Sequence, residues 1–405
     1  MITILKHDFK TIQLAAYLTG RDEVSSRVYR FLLPKLLTSH TDHLASKTLM
    51  SEKLEDLYGA YFKSRVERIG DVSVMSIMLT IVDPKIIADK ALLKTAVQLF
   101  KDALFDHTLF KNDVFFEEKR MFIEQWQTIK DKKRLYAQHR FQALMYEKDP
   151  YGVPLSGTVK DIKPLTSEDF DAYYQQVLRD DHLTYVVNGQ LTAEEESLIR
   201  GWLEADESKD LPEPVMSFRQ ARRKPVEKIE SIDMKQAILR LGYHFPVFRV
   251  DEDYAAALVL DAVLGGYPDS RLFQDIREKQ GLCYDVFSSY EPYKGVMTIG
   301  AGVDAKADRK ALDAIKKLVE TLKTEGVTNE ELTHAKQYIA HQLKTSLDNQ
   351  SVLTKRTFLG MLFKDKQTIE ERLALVHAVT KSDVDRLLGQ LALDTVYVLK
   401  GGDDA

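Results

Sequence analysis

The hydrophobic and polar positions of this chain switch between strand spacing and helix spacing, and this pattern defines its elements. Residues 13–21 have strand spacing, and residues 24–37 have apolar positions at helical spacing. Two strands of a hairpin follow, and the second is apolar on both faces from Val74 to Val82, which predicts a central strand. Helical spacing then extends from about residue 85 to 146, with a break near 108–113.

The second half of the chain repeats this order of elements. QAILRLGYHF resembles the first strand, QLAAYLTGR, and GVMTIGAGVD resembles VSVMSIMLTIVD. Both halves also contain a helix, a glycine and an aromatic-rich strand, and both end on a strand, LTYVVNGQ or TVYVLKGG. A unit of about 200 residues therefore occurs twice. The sequence predicts an α+β fold of two duplicated domains, each a largely antiparallel β-sheet with helices packed on one face.

Residues 205–226 differ from the rest of the chain and are predicted to be an interdomain linker. They contain three prolines, an acidic start and a basic end. The predicted domains are therefore residues 1–204, which would hold a degenerate metal site, and residues 227–405. The basic cluster at the end of the linker is interpreted as a solvated face, with a partner or peptide contact as the alternative; it comprises Arg219, Arg222, Arg223 and Lys224.

Composition and charge narrow the function classes. The chain has 405 residues, a net charge of −5 and a pI near 6.1, which argues against nucleic-acid binding. No apolar run is long enough to span a membrane, and the N-terminus lacks the pattern of a secretory signal. The single cysteine, Cys283, excludes an internal disulfide and a cysteine-rich metal site. We therefore expect a cytoplasmic protein without nucleic-acid or membrane partners.

Candidate chemistry is concentrated between Leu264 and Asp304. A short helix is predicted to end at Gly281, where a left-handed residue is favoured, and a strand pattern begins at Leu282. Arg277 then lies in the last helical turn and Tyr284 near the start of the strand. A helix–glycine–strand turn can bring these two side chains together over one surface. On the residues alone, Arg277 could instead only complement the helix C-terminus, and Tyr284 could only pack.

This stretch resembles the second domain of the pitrilysin/insulinase family of zinc metallopeptidases, which includes the mitochondrial processing peptidases. The similarity lies in Gly-Gly, then Ser-Arg-Leu-Phe, then Arg-Glu-Lys-x-Gly-Leu-x-Tyr, and it extends over nearly the whole chain. The resemblance implies a half-clamshell fold. By residue-for-residue match it also implies that Arg277 and Tyr284 bind the substrate backbone and help to stabilise the transition state.

The zinc motif of that family is missing from this sequence. The chain contains neither His-x-x-Glu-His nor His-Glu-x-x-His. The family's ligand helix would fall near Val28–Lys35, and Phe116 would take the position of the third ligand. Nearby carboxylates are predicted to lie on a helix surface; they are Glu117, Glu118 and Glu124. No metal or cofactor is therefore expected in this chain.

His40 and His43 are the alternative metal ligands. Two histidines three residues apart can share a helix face, and Asp42 could act as a base. However, Ser39–Ser46 is polar and has the character of a loop, so we expect two exposed loop histidines.

Three functional hypotheses follow. The first is the non-metal-binding subunit of a heterodimeric zinc peptidase, in which a homologous partner holds the zinc and Arg277 and Tyr284 contact the peptide substrate in an enclosed chamber. The second is a catalytically inactive peptide-binding or scaffold homologue. The third is an autonomous metallopeptidase that uses His40 and His43. Cys283 is expected to be a buried structural thiol, on the opposite face of the strand from Tyr284.

Overall fold

The structure is a computed structural model that describes residues 1–203, 209–216 and 224–401. Its strands are β1 (Ile2–Leu5), β2 (Thr11–Arg21), β3 (Tyr61–Ile69), β4 (Val72–Val82), β5 (His182–Asn188), β6 (Val226–Ser231), β7 (Gln236–His244), β8 (Asp285–Glu291), β9 (Val296–Asp304) and β10 (Ala392–Lys400).

The α-helices cover most of the remaining described residues. They are α1 (Arg27–Ser39), α2 (Lys47–Asp56), α3 (Pro84–Ile87), α4 (Leu92–Phe105), α5 (Asn112–Gln127), α6 (Lys133–Met145), α7 (Val159–Ile162), α8 (Ser167–Asp180), α9 (Ala193–Trp202), α10 (Tyr254–Asp261), α11 (Asp308–Glu325), α12 (Asn329–Thr345), α13 (Gln350–Leu362), α14 (Ile369–Ala378) and α15 (Lys381–Leu388). Two π-helical segments span Ala262–Gly266 and Phe273–Glu278.

The chain divides into two compact units, and each unit contains a segment from the other half of the sequence. The first unit comprises Met1–Thr128, Pro154–Val215 and Leu347–Lys366, so it includes α13. The second comprises Ile129–Val153, Met216–Ser346 and Gln367–Ala405, so it includes α6. Much of the predicted linker, with Arg219, Arg222 and Arg223, lies outside the described residues, and the predicted domain boundaries stay a prediction.

The two sheets have the same topology. The first has the strand order β1-β5-β2-β4-β3, and the second has the order β6-β10-β7-β9-β8. In each sheet one outer pair is parallel, β1 with β5 or β6 with β10, and the other described pairs are antiparallel. Strand β4 is an interior strand, which accounts for its apolar side chains on both faces. The predicted α+β fold and its internal duplication are confirmed.

The first sheet is covered on both faces, whereas the sequence analysis placed helices on one. On β2, Leu14 and Ala16 belong to the main core, which also includes residues of α1 and α4. On the opposite face of the same strand, Tyr17 stacks on Phe358 of α13, with ring centroids 4.0 Å apart. The additional helix comes from a distant part of the sequence, so local periodicity did not reveal it.

The second sheet is arranged in the same way. Leu239 of β7 lies in the main core of the second unit, and its neighbour Ile238 packs with Phe141 and Met145 of α6 on the other face. This arrangement places the N-terminal turn of α6, with Arg134, beside β8 in the same unit.

Threonine side chains cap several helices. Thr166 and Asp169 form a capping box at α8, and Thr192 forms one with Glu195 at α9. In the described part of the chain, no helix combines the length and the apolar character needed to cross a membrane.

Candidate functional site

The candidate site is built on two π-helical segments that precede β8. The first, Ala262–Gly266, continues α10 and approaches β8 closely at Gly265. A Cβ atom on Gly265 would lie 2.4 Å from the backbone nitrogen of Ser288, so only glycine allows this approach. The Ser288 hydroxyl donates to the carbonyl oxygen of Asp261 at 3.0 Å and also to its carboxyl group. These contacts fix the helix end against the strand.

The second π-helical segment, Phe273–Glu278, carries Arg277 and ends at a left-handed glycine. The Gly281 N–H donates to the Arg277 carbonyl at 3.0 Å, and the Leu282 N–H donates to the Ile276 carbonyl at the same distance. Gly281 has a φ of +60°, which confirms the predicted left-handed residue. This helix end orients the backbone that leads directly to Tyr284.

The Arg277 side chain contacts two neighbouring residues and is otherwise exposed to solvent. Its guanidinium lies over the ring of Phe273, 4.6 Å from the centroid, and its Nε is 3.7 Å from a Glu278 carboxylate oxygen. No described residue accepts a hydrogen bond from it, and 42% of the side chain is exposed. The guanidinium donors can therefore reach a ligand.

Tyr284 presents its ring to solvent. Its backbone N–H donates to the Gly302 carbonyl at 2.8 Å, so its backbone is anchored on β9, yet 57% of the residue is exposed. The two backbone hydrogen bonds of the Gly281 turn join the segment that carries Arg277 to Leu282, two residues before Tyr284. The catalytic and substrate-binding roles of Arg277 and Tyr284 stay predictions.

Cys283 is buried, as the sequence predicted. It belongs to the main core of the second unit, and burial together with the charge of Asp285 raises the pKa of its thiol to about 11. At neutral pH this thiol is protonated and a poor nucleophile.

The predicted start of the strand is wrong. Strand β8 begins at Asp285, not at Leu282, and Leu282 and Cys283 are both buried. The reason is that the Gly281 turn folds these two residues into the core before the sheet pairing begins. Simple strand alternation therefore does not explain why Cys283 is buried and Tyr284 exposed.

The two histidine candidates lie in different environments. His40 is fully buried at the end of α1, which corrects the prediction of an exposed loop residue. Its Nε2 accepts a hydrogen bond from the Lys111 N–H at 3.2 Å, and its ring lies 5.3 Å from that of His107. Burial lowers the pKa of His40. Burial and the neighbouring His40 ring together lower the pKa of His107 to about 4. His43 is exposed and pairs with Asp106.

The stretch predicted to correspond to the ligand helix, Val28–Lys35, lies in α1, which packs against β3, β4 and α5. The Lys35 ammonium lies 4.3 Å from the centre of the Phe31 ring, and burial lowers the Lys35 pKa against the opposing effect of Glu118. Lys47 of α2 is 2.6 Å from Glu118 and 3.2 Å from Glu117. We call Lys35, Lys47, Glu117 and Glu118 the lysine–glutamate cluster.

The prediction that all three carboxylates lie on the helix surface is wrong for one of them. Glu118 is buried, because Lys47 and the side of α5 that faces α1 enclose it. Glu117 is part-exposed beside Lys47, and Glu124 pairs with Arg120 on the exposed side of α5. Phe116, at the predicted third-ligand position, is exposed.

Comparison with known proteins places these features in a family. Residues 164–339 match the model described as the peptidase M16 inactive domain. The chain is 28% identical to the probable inactive metalloprotease YmfF of Bacillus subtilis over 98% of this chain and 94% of the relative. It is 26% identical to the uncharacterized zinc protease YmxG of the same organism, over 71% and 70%. A conserved protein of Enterococcus faecalis V583 has the same fold, with a TM-score of 0.89, 25% identity and coverage of 99% and 96%.

The chain is similar to the peptidase M16 family. The resemblance noted in the motif around Arg277 and Tyr284 is therefore confirmed at the level of the family.

The zinc site of a catalytic M16 enzyme does not fit the residues of this chain. The ammonium groups of Lys35 and Lys47 are cations, and Glu118 is already paired with one of them. In the described ranges, no three or more His, Cys, Asp or Glu side chains form a group that could hold a metal ion. The residues also do not fit the hypothesis that His40 and His43 hold a metal ion, because the His40 Nε2 already accepts a backbone hydrogen bond.

Sequence analysis missed two features that the fold of this chain assembles. One is the lysine–glutamate cluster, whose members are up to 83 positions apart, from Lys35 to Glu118. The other is a charged group beside Tyr284, formed by Arg134, Asp285 and Arg240. Arg134 donates two hydrogen bonds, of 2.8 and 2.7 Å, to the Asp285 carboxylate, and the charges of both residues act on Arg240 of β7. The one available signal was Arg240 itself, a charged residue in the middle of the apolar strand QAILRLGYHF.

Proposed function

We propose that this chain is the non-metal-binding subunit of a two-chain zinc peptidase. The observation that carries the proposal is the state of Arg277 and Tyr284: rigid backbone contacts fix both residues, while both side chains remain exposed. A protein gains little stability from such an arrangement, since exposed polar groups contribute little to folding. Anchored but exposed donors are suited to binding a ligand.

The two residues would have different tasks on a bound peptide. Arg277 would donate to carbonyl oxygens of the peptide backbone, because a guanidinium is always charged and offers several donors in a fixed plane. Tyr284 would donate its hydroxyl proton in a hydrogen bond to the oxygen of the scissile carbonyl as negative charge develops there. The zinc and the general base would come from the partner.

The relatives support a division of labour. Bacillus subtilis has both a relative named probable inactive metalloprotease and one named zinc protease. By analogy, this chain would be inactive alone and would pair with a zinc-binding homologue around an enclosed chamber for unfolded peptides. We place this complex in the cytoplasm, in line with the ordinary charge and composition of the chain.

The direct test is cleavage of a quenched fluorescent peptide library by the purified chain, by a zinc-binding homologue encoded near it, and by both together. The proposal expects turnover from the pair that exceeds the sum of the separate proteins at least about 100-fold, the scale of one oxyanion contact. Full turnover by this chain alone, or no gain on mixing, would refute it.

A second candidate function is peptide binding without catalysis. The observation that favours it is the edge position of β8, whose outer side has no strand partner in the described sheet and which begins immediately after Tyr284. An extended peptide could add to this edge as a further strand. This function gains if the chain binds peptides while Arg277→Ala and Tyr284→Phe leave the turnover of any partner unchanged.

A further inference from the structure

Arg240 is a charged residue on the face of the second sheet that α6 only partly covers. It is half-buried, and its guanidinium stacks over the ring of Phe287, 5.3 Å from the centroid. Gly300 of β9 pairs with both residues and separates them. A Cβ atom on Gly300 would lie 2.8 Å from an Arg240 Nη and 2.6 Å from the Phe287 ring, so glycine makes room for this stack.

The charges around Arg240 do not balance. Asp285 is the acidic side chain that acts on it, and Arg134 already binds both oxygens of that carboxylate. A further acidic group on this face, Glu230, accepts hydrogen bonds from Tyr136, Arg140 and Tyr397. The group formed by Arg134, Asp285 and Arg240 therefore has one positive charge in excess.

Arg240 also lacks hydrogen-bond partners within the described ranges of the chain. Its Nε is enclosed without an acceptor, and no described side chain or carbonyl accepts from its Nη atoms. Burial, followed by the charge of Arg134, lowers its pKa, which shows that the surroundings disfavour the cation. A half-buried guanidinium without an acceptor costs folding free energy, so its presence calls for an external partner.

The Arg134–Asp285 pair lies at the end of β8 beside Arg240. Gly302 follows Gly300 on the same face of β9, and a Cβ atom there would be 2.4 Å from the Asp285 Oδ1, so the Asp285 carboxylate covers Gly302. At that end, 66% of the Arg134 side chain and 32% of the Asp285 side chain are exposed. Asp285 directly follows Tyr284, so a peptide held at Tyr284 would pass within reach of this face.

We propose that Arg240 binds a carboxylate of the peptide ligand, with Arg134 adding to the positive field at the same place. A carboxylate matches the planar donor pair of a guanidinium, and binding it here removes the charge excess. The carboxylate belongs to an acidic side chain or to the C-terminus of the peptide. This inference rests on the proposed function, since it names the chemistry of the ligand that Arg277 and Tyr284 contact.

The test uses the full chain and fluorescence anisotropy with labelled extended peptides of about ten residues. One series places glutamate or glutamine at each position in turn, and a second compares a free C-terminal acid with its amide. We expect one carboxylate form to bind at least about tenfold more tightly than its neutral counterpart, since a charge-assisted hydrogen bond is lost in the latter. The series that shows the difference identifies the source of the carboxylate.

Variants separate this inference from the proposed function. Arg240→Met should abolish the preference for the carboxylate and leave thermal stability unchanged or higher, and Arg240→Lys should retain part of the preference. Arg309→Met, at an exposed arginine paired with Glu227, is the matched control and should change neither. If Arg240→Met lowers stability too far for binding to be measured, Arg240→Gln takes its place with the same readout.

Two results would overturn the inference. A carboxylate preference that persists in Arg240→Met, while Arg277→Ala weakens all peptides equally, would refute the carboxylate site and leave the proposed function standing. Peptide binding that responds to neither Arg277→Ala nor Tyr284→Phe, or the absence of any binding, would remove the proposed function and the inference with it.

Discussion

At the scale of single residues, the chemistry of the candidate site is set by which side chains the turn at Gly281 buries and which it exposes. Cys283 and Tyr284 are adjacent in sequence, yet one lies in the core and the other is 57% exposed. The motif therefore combines a structural residue with a candidate functional one, and the two can be tested separately.

Cys283→Ser should cost about 1–2 kcal/mol of unfolding free energy, because a hydroxyl without a partner replaces a thiol in an apolar place. Urea unfolding of the two proteins measures this cost. Thiol labelling of the native wild-type chain should be slow, given the raised pKa of the thiol. Fast labelling without unfolding would show that Cys283 is not enclosed.

His40 and His107 make the stability of the first unit depend on pH. The pKa of His107 is about 4 in the folded chain against about 6.5 when unfolded, so the unfolded state binds the proton first. Stability contributed by neutral His107 is complete above pH 6.5 and is lost as pH falls toward 4, to a limit of about 3 kcal/mol.

The measurement is urea unfolding of the wild type and His107→Phe at pH 7 and at pH 5. The variant should lose less stability between these two values than the wild type does, because one buried titrating group has been removed. His334→Gln, at an exposed histidine of α12, is the control. An equal loss of stability in His107→Phe and in the wild type would contradict the assignment.

At the scale of elements, the contact between the first π-helical segment and β8 holds the end of the sheet that carries Tyr284. Gly265→Ala would place a Cβ atom 2.4 Å from the Ser288 nitrogen, and no flexible side chain can give way. We expect a loss of about 3 kcal/mol in unfolding free energy, as for overpacking against a rigid backbone.

Gly201→Ala provides the matched control for this prediction. Gly201 lies in α9 with open space around its Cβ position. The same substitution there should stabilise the chain by about 0.5–1 kcal/mol, because alanine favours a helix. Thermal or urea unfolding of the two variants should therefore show shifts of opposite sign; shifts of the same sign would contradict the proposed packing role of Gly265.

Sequence patterns within a few residues of each other explain where several helices begin and end. Thr166 and Thr192 begin helices because each finds its capping partner three residues later, and Gly281 ends one because it takes a positive φ. The burial of His40 and Glu118 could not be predicted in this way. Their surroundings come from Lys111, His107 and Lys47 in other elements, and only the tertiary fold brings these together.

At the scale of the whole molecule, the duplicated topology could be predicted because both halves repeat the same order of strands and helices. The exchange of α6 and α13 between the two compact units could not, since both helices are only weakly amphipathic and their sequences do not identify the sheet that each contacts. Arg134 reaches Asp285 only through this exchange, which is why sequence analysis missed the charged group beside Tyr284.

Metal dependence should belong to the complex and not to this chain. Lys35 lies in the stretch predicted to correspond to the M16 zinc helix, and Lys47 pairs with Glu118, two residues after the predicted third-ligand position, Phe116. The ammonium groups of these lysines do not bind a metal ion. We expect EDTA to leave the melting temperature of the isolated chain unchanged and to abolish cleavage by the reconstituted pair. Stoichiometric zinc in the purified chain that is lost in His40→Ala would instead support the autonomous peptidase.

The most direct test of the account is the turnover of a peptide by the reconstituted pair with Tyr284→Phe or Arg277→Ala in this chain. Size-exclusion chromatography confirms assembly, and the matched controls are Tyr58→Phe and Arg179→Ala, at residues of similar type that are also exposed. The account predicts a loss of about 100-fold in turnover for Tyr284→Phe with assembly intact, and no loss for the controls. Unchanged turnover in both Tyr284→Phe and Arg277→Ala would contradict it.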